Sequence, residues 1–137
     1  MNRTILIVED ETDLADTCLR LLRRQGWTAV VAPTRAAAID ALSQRPVLAL
    51  VDRRLPDGDG LDVLRAAVGA GTPAIMMSGY DWADSRRVSL DAGAAAFLGK
   101  PFPTQALLEL IDEILGPAPG RVWSSPPGGP AGPTAGA

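Results

Sequence analysis

The chain has no histidine, one cysteine and one lysine among its 137 residues. Without histidine there can be no His-ligated metal site, no Ser-His-Asp triad and no histidine general base. The single Cys18 forms neither an internal disulfide nor a Cys-rich zinc site. A formal charge of -3 is the wrong sign for a nucleic-acid surface. Hydrophobic residues make up 47% of the chain, yet no apolar run approaches the roughly 20 residues of a membrane-spanning helix. The apolar stretch Thr4–Val8 is too short for a signal peptide and ends at Glu9-Asp10, so a cytoplasmic protein is expected. Carboxylates, hydroxyls and Lys100 remain for chemistry, Lys100 being the one lysine beside 12 arginines.

Composition shifts at Gly116. Residues 117–137 hold six of the 12 prolines and five of the 14 glycines, with no apolar periodicity to offset the entropy of ordering. This segment is expected to be a disordered tail or linker, with Trp123 as its one sticky point. Residues 1–116 are expected to form a single domain.

Within residues 1–116, short apolar runs alternate with helical patterns. Thr4–Val8, Trp27–Val31, Val47–Val51, Ala74–Met77 and Ala95–Leu98 are continuous rather than alternating, as in strands buried on both faces of a parallel sheet. Helices are expected at about Thr12–Gln25, after the cap Thr34, at about Gly60–Ala67, after the cap Asp81 with Asp84 supporting it, and at Thr104–Leu115. Leu61, Leu64 and Val68 mark the inward face of the third. Five strand-helix units imply an α/β doubly wound, five-stranded parallel sheet with helices on both faces, a flavodoxin-like fold.

In such sheets the working crevice lies beyond the carboxyl ends of the strands. The first strand ends in Glu9-Asp10, the third in Asp52 and the fourth in Ser78, and the fifth runs into Gly99-Lys100-Pro101. Converging carboxylates repel one another unless a cation neutralises them. An all-oxygen donor set favours a hard ion, Mg²⁺ above all. Lys100 adds a compact positive charge and Ser78 a hydroxyl, which together suit phosphoryl transfer. Taken singly, the acidic pair reads as a solvated turn, Asp52 as a strand-end cap and Lys100 as a surface lysine. Taken as one cluster, they read as a phosphoryl site.

Four blocks carry a family resemblance: Ile5-Leu6-Ile7-Val8-Glu9-Asp10-Glu11, Val51-Asp52-Arg53-Arg54-Leu55-Pro56-Asp57-Gly58-Asp59-Gly60, Met77-Ser78-Gly79-Tyr80 and Phe97-Leu98-Gly99-Lys100-Pro101-Phe102. In order and spacing they resemble the receiver domain of two-component response regulators. The resemblance implies that Asp52 accepts a phosphoryl group from the phosphohistidine of a sensor histidine kinase or phosphotransfer protein. It implies Mg²⁺ held by Glu9, Asp10, Asp52 and the backbone carbonyl of Arg54, with Lys100 and Ser78 holding the phosphoryl group. It also implies a cis bond at Lys100-Pro101, a switch pair of Ser78 and Phe97, and a downstream protein at the face of the fourth helix, fifth strand and fifth helix. A homodimer formed on phosphorylation belongs to the same expectation, although Ala95-Ala96 replace an acidic pair that winged-helix members use in dimer salt bridges. The chain itself is expected to touch neither nucleic acid nor membrane.

Arg53, Arg54 and Tyr80 flank the expected site, and Trp82 is close enough to report on it. Arg54 and Tyr80 are expected to screen the acyl phosphate and set its hydrolysis rate. Cys18 and Trp27 are expected in the core, and Arg86 and Arg87 on a solvated helix face. Two alternatives stay open: a small Mg²⁺-dependent phosphatase or phosphotransferase with an aspartyl-phosphate intermediate, and a receiver-like scaffold that is never phosphorylated.

Overall fold

The computed structural model describes residues 3–120. Five strands, β1 (Thr4–Val8), β2 (Thr28–Ala32), β3 (Leu48–Asp52), β6 (Ala74–Ser78) and β7 (Ala96–Gly99), form one parallel sheet in the order β2-β1-β3-β6-β7. Between β3 and β6, the residues of the expected turn form a small antiparallel ladder, β4 (Arg54–Leu55) with β5 (Gly58–Asp59). The helices are α1 (Thr12–Arg24), α2 (Arg35–Ala41, continued by a 3₁₀ turn at Leu42–Gln44), α3 (Gly60–Ala70), α4 (Trp82–Asp91) and α5 (Thr104–Leu115).

The sheet divides the core in two. Ile5, Ile7, Leu50, Ile75 and Met77 face one layer with Cys18 and Leu22 of α1 and Leu107 and Ile111 of α5. Leu6, Val8, Val51 and Met76 face the other, with Ala38 of α2 and Leu61, Val63 and Leu64 of α3. Alternate residues of β1, β3 and β6 point to opposite apolar layers, which is why these runs are apolar throughout. Cys18 lies in the core as expected, and burial pushes its thiol up to about 11.

The structure corrects several local expectations. β2 is an edge strand, with Val30 and Val31 44% and 38% exposed, because no further strand covers its outer side. Val68 is exposed, because the buried stripe of α3 is centred on Val63, Leu64 and Ala67 and Val68 lies at its flank. Thr34 does cap α2, accepting from the Ala37 N–H at 3.0 Å. Asp57 in the β4–β5 turn adds a second cap from across the fold, accepting from the N–H groups of Arg35 and Ala36 at 2.6 and 3.0 Å. Asp81 precedes α4 but does not cap it: its φ of 46° is left-handed and its side chain makes no cap bond. Asp84 turns instead to Arg87. After Gly116 the chain remains on the body: Ala118 is buried in the α1–α5 layer, and the Gly120 N–H donates to the Gln25 carbonyl at 2.8 Å. Trp123 and the remainder of the expected tail lie outside the described residues.

Candidate functional site

The strand order places the carboxyl ends of β1, β3, β6 and β7 side by side. Glu9 follows β1, its backbone N–H donating to the Ala32 carbonyl at 3.2 Å. Its carboxylate is 1% exposed, accepting from the Glu11 N–H at 3.1 Å and from Lys100 Nζ at 2.8 Å. Asp52 ends β3, is buried, and lies 3.2 Å from Lys100 Nζ through Oδ1. Asp10 is exposed at the rim, and one oxygen each of Glu9, Asp10 and Asp52 lie within 4.8 Å of one another. The donors are all oxygen and open to one side, which suits a hard divalent cation.

Burial raises the Glu9 carboxyl above its ordinary value, and the Asp52 charge adds to this while the Lys100 bond counters it. For Lys100, burial disfavours the charged form, but the contacts to Glu9 and Asp52 outweigh it and hold the ammonium above its usual value. Lys100 therefore remains a cation between two carboxylates. Its backbone is set at this edge by the pairing of β7 with β6 at Ser78↔Gly99 and by its N–H, which donates to the Ser78 carbonyl at 2.8 Å; the following bond to Pro101 is cis.

Ser78 ends β6 at the same edge and is buried. Its hydroxyl donates to the Tyr80 carbonyl at 3.0 Å and accepts from the Tyr80 N–H at 3.3 Å. Phe97 is half-buried against the layer that holds Met76 and Leu64. The Arg54 guanidinium lies 4.7 Å above the Tyr80 ring, a cation–π contact. The two form one wall of a cleft of about 460 Å³ that also touches Arg53, Asp59, Ser78 and Asp84.

Over residues 5–112 the sequence matches the family described as response regulator receiver domain. The chain belongs to that family. It is 41% identical over 113 residues to the swarming motility regulation protein RssB of Serratia marcescens, a match covering 80% of this chain and 50% of that protein. It is 32% identical over 118 residues to response regulator MprA of Mycobacterium tuberculosis, covering 84% of this chain and 51% of that one. The chain thus spans about half the length of these curated relatives. A CheY-like receiver domain protein from Methanospirillum hungatei superposes with a TM-score of 0.76 at 34% identity, covering 82% of this chain and 93% of that one. The BeF3-activated N-terminal receiver domain of Klebsiella pneumoniae RstA does so at 0.76 and 26%, covering 82% and 97%.

Within this receiver domain, two flanking residues stand apart from the carboxylate cluster. Arg53, next to Asp52 in sequence, turns away toward α4: its Nε donates to Asp59 Oδ1 at 2.8 Å, Nη2 to Oδ2 at 3.3 Å, and Nη1 to Ser85 Oγ at 3.0 Å. Trp82 opens α4 with its indole against Gly99, where an added Cβ would come within 2.5 Å of the ring. Neither Asp59 nor Ser85 stood out in the sequence. Asp59 could have been found as a cap before Gly60, whereas a serine in a charged helix carries no such signal. Among the described residues no helix is long and apolar enough to cross a membrane.

Proposed function

We propose that the chain is a phosphorylation-dependent signalling switch in which Asp52 accepts a phosphoryl group from the phosphohistidine of a partner kinase or phosphotransfer protein. The observation that carries this reading is the Lys100 ammonium, held 2.8 Å from Glu9 and 3.2 Å from Asp52 in an otherwise acidic pocket. Glu9, Asp10, Asp52 and the Arg54 carbonyl are the groups that would hold Mg²⁺, whose charge neutralises phosphoryl oxygens when it is bound. An Asp52 carboxylate oxygen attacks phosphorus, the phosphorus–nitrogen bond to the donor imidazole breaks, and the imidazole leaves with that electron pair. Lys100 pairs with an oxygen of the transferred group. Ser78 exchanges its bonds to Tyr80 for one to that group, and Phe97 follows it inward, reshaping the face of α4, β7 and α5 that a downstream protein or second copy reads.

The chain turns over no outside substrate under this reading; its only chemistry is its own phosphorylation and dephosphorylation. It acts in the cytoplasm, where the kinase domain presents its phosphohistidine, and it contacts no nucleic acid itself. Residues 1–116 are the receiver unit, and the Pro/Gly-rich segment from 117 onward is a tail or linker to it.

Incubation with Mg²⁺ and acetyl phosphate followed by intact mass tests the reading. The expected result is one phosphoryl adduct that Asp52→Ala abolishes. No adduct, or one that survives Asp52→Ala, overturns it. The same assay followed over time reads the Arg54–Tyr80 wall: Arg54→Ala and Tyr80→Ala are expected to shorten the adduct's half-life by admitting water, and an unchanged half-life in both refutes that screening role.

A further inference from the structure

The underside of α4 is unusually polar. Ser85 and Ser89, one helical turn apart, are its two buried residues, and the apolar contacts beneath it come from half-buried Val88 and Ala92. A helix so seated gains little from apolar burial, so the hydrogen bond at Ser85 weighs more than it would elsewhere. That bond comes from Arg53, whose position is fixed at both ends. The Arg53 backbone N–H donates to the Met77 carbonyl at 2.8 Å, and its carbonyl accepts from the Gly60 N–H at 2.7 Å. Its guanidinium is clamped by Asp59, which also caps α3 by accepting from the Leu61 N–H at 2.9 Å. A guanidinium can grip one carboxylate through two nitrogens and still present a third to a hydroxyl, which an ammonium cannot do in one geometry.

We propose that Arg53 is a positioning residue for α4: clamped by Asp59, it holds Ser85, sets where Trp82 lies against Gly99, and carries a change of state at the adjacent Asp52 to that helix. The last clause rests on the phosphoacceptor reading; the seat of α4 does not.

Hydrogen exchange on the full chain without a phosphodonor tests the seat. Arg53→Met and Ser85→Ala are each expected to speed amide exchange in α4 by on the order of tenfold, with β1 and β3 exchanging as in the wild type. Their double variant should go no further than either single one, and Ser85→Thr, which keeps the hydroxyl, should restore protection. Unchanged α4 exchange, additive effects, or an increase spread evenly into β1 and β3 each overturn the proposal. Trp82 emission, read in a background with Trp27→Phe and Trp123→Phe, tests the transmission. With Mg²⁺ and acetyl phosphate the response in Ser85→Ala should fall by at least half at equal adduct by intact mass. A full response there overturns the transmission. A wild-type chain that takes no adduct overturns the phosphoacceptor reading and the transmission with it, and the exchange result still decides the seat of α4.

Discussion

α3 and α4 pack on the same face of the sheet and are nearly equal in length, yet they are held by different physics. α3 buries Leu61, Val63, Leu64 and Ala67, is capped by Asp59 at its start, and is ended by Gly71 at a φ of 77°. α4 buries two serines, begins at an Asp81 that makes no cap bond, and leaves the Ser89 hydroxyl without a partner among the described residues. Apolar burial is non-directional and strong, so a helix seated by it has one deep position. A helix seated by a few hydrogen bonds can take a second position at small cost once those bonds are redirected. α3 comes after the strand bearing Asp52 and α4 after the strand bearing Ser78, an arrangement that suits the proposed switch, in which the helix seated by hydrogen bonds would be the one to shift.

The contrast is sharpest in the cores of the two helices. Leu64→Ala is expected to cost about 2–5 kcal/mol in equilibrium unfolding, against roughly 1 kcal/mol or less for Val88→Ala on half-buried ground. Equal losses at both sites would erase the distinction. Asp59→Ala comes next, at roughly 1–2 kcal/mol, because the α3 cap is lost and Arg53 is left without its carboxylate. Denaturation should show that loss, with exchange increased in both α3 and α4. Ser89→Ala runs the other way. Removing a buried hydroxyl that has no partner should leave stability unchanged or raise it by up to about 1 kcal/mol, and slow exchange in α4 alone. A clear destabilisation would show that α4 is better seated than its contacts indicate.

The smallest effect is on pH dependence. Burial works against the charged form of Asp59, but the Arg53 and Leu61 hydrogen bonds prevail and hold its carboxyl below the ordinary 3.8. Asp57 is held low by the Ala36 and Arg35 N–H groups. A lowered folded value means the unfolded chain binds the proton first. The stabilisation is therefore present above 3.8 and lost as pH falls through the lower folded value. Asp59→Asn and Asp57→Asn should each flatten the fall of the thermal midpoint in that acid range, and an unaltered slope in both would detach these carboxylates from acid stability.

Much of this was legible in the chain. The strand runs, the Thr34 cap and the order of elements follow from local patterns, since a strand buried on both faces and a helix with one apolar stripe write their periods into the residues. The candidate site was legible as a set of residues at strand ends. Less legible was anything set by a neighbour distant in sequence. The runs at β1 and β2 look alike, yet one lies between two strands and the other at the edge with Val30 and Val31 in solvent. Asp81 reads as a cap from its place before a helix, but the turn out of β6 forces it left-handed and points its side chain elsewhere. Arg53 reads as a companion of Asp52, whereas its side chain serves Asp59 and Ser85.

By itself, the sequence determined the chemistry on offer: carboxylates at the strand ends, one ammonium, no imidazole, and a βα alternation that brings strand ends to a common edge. Tertiary structure alone decided the pairings. Lys100 and Glu9 stand 91 residues apart in the chain and 2.8 Å apart in space, a contact made because the parallel sheet brings the carboxyl ends of β1, β3, β6 and β7 to one edge, where the long Lys100 side chain reaches past Asp52 to Glu9. The reason is one of range: backbone preference and hydrophobic period act over a few residues, while charge and hydrogen bonding act over a few ångströms wherever the chain crosses itself.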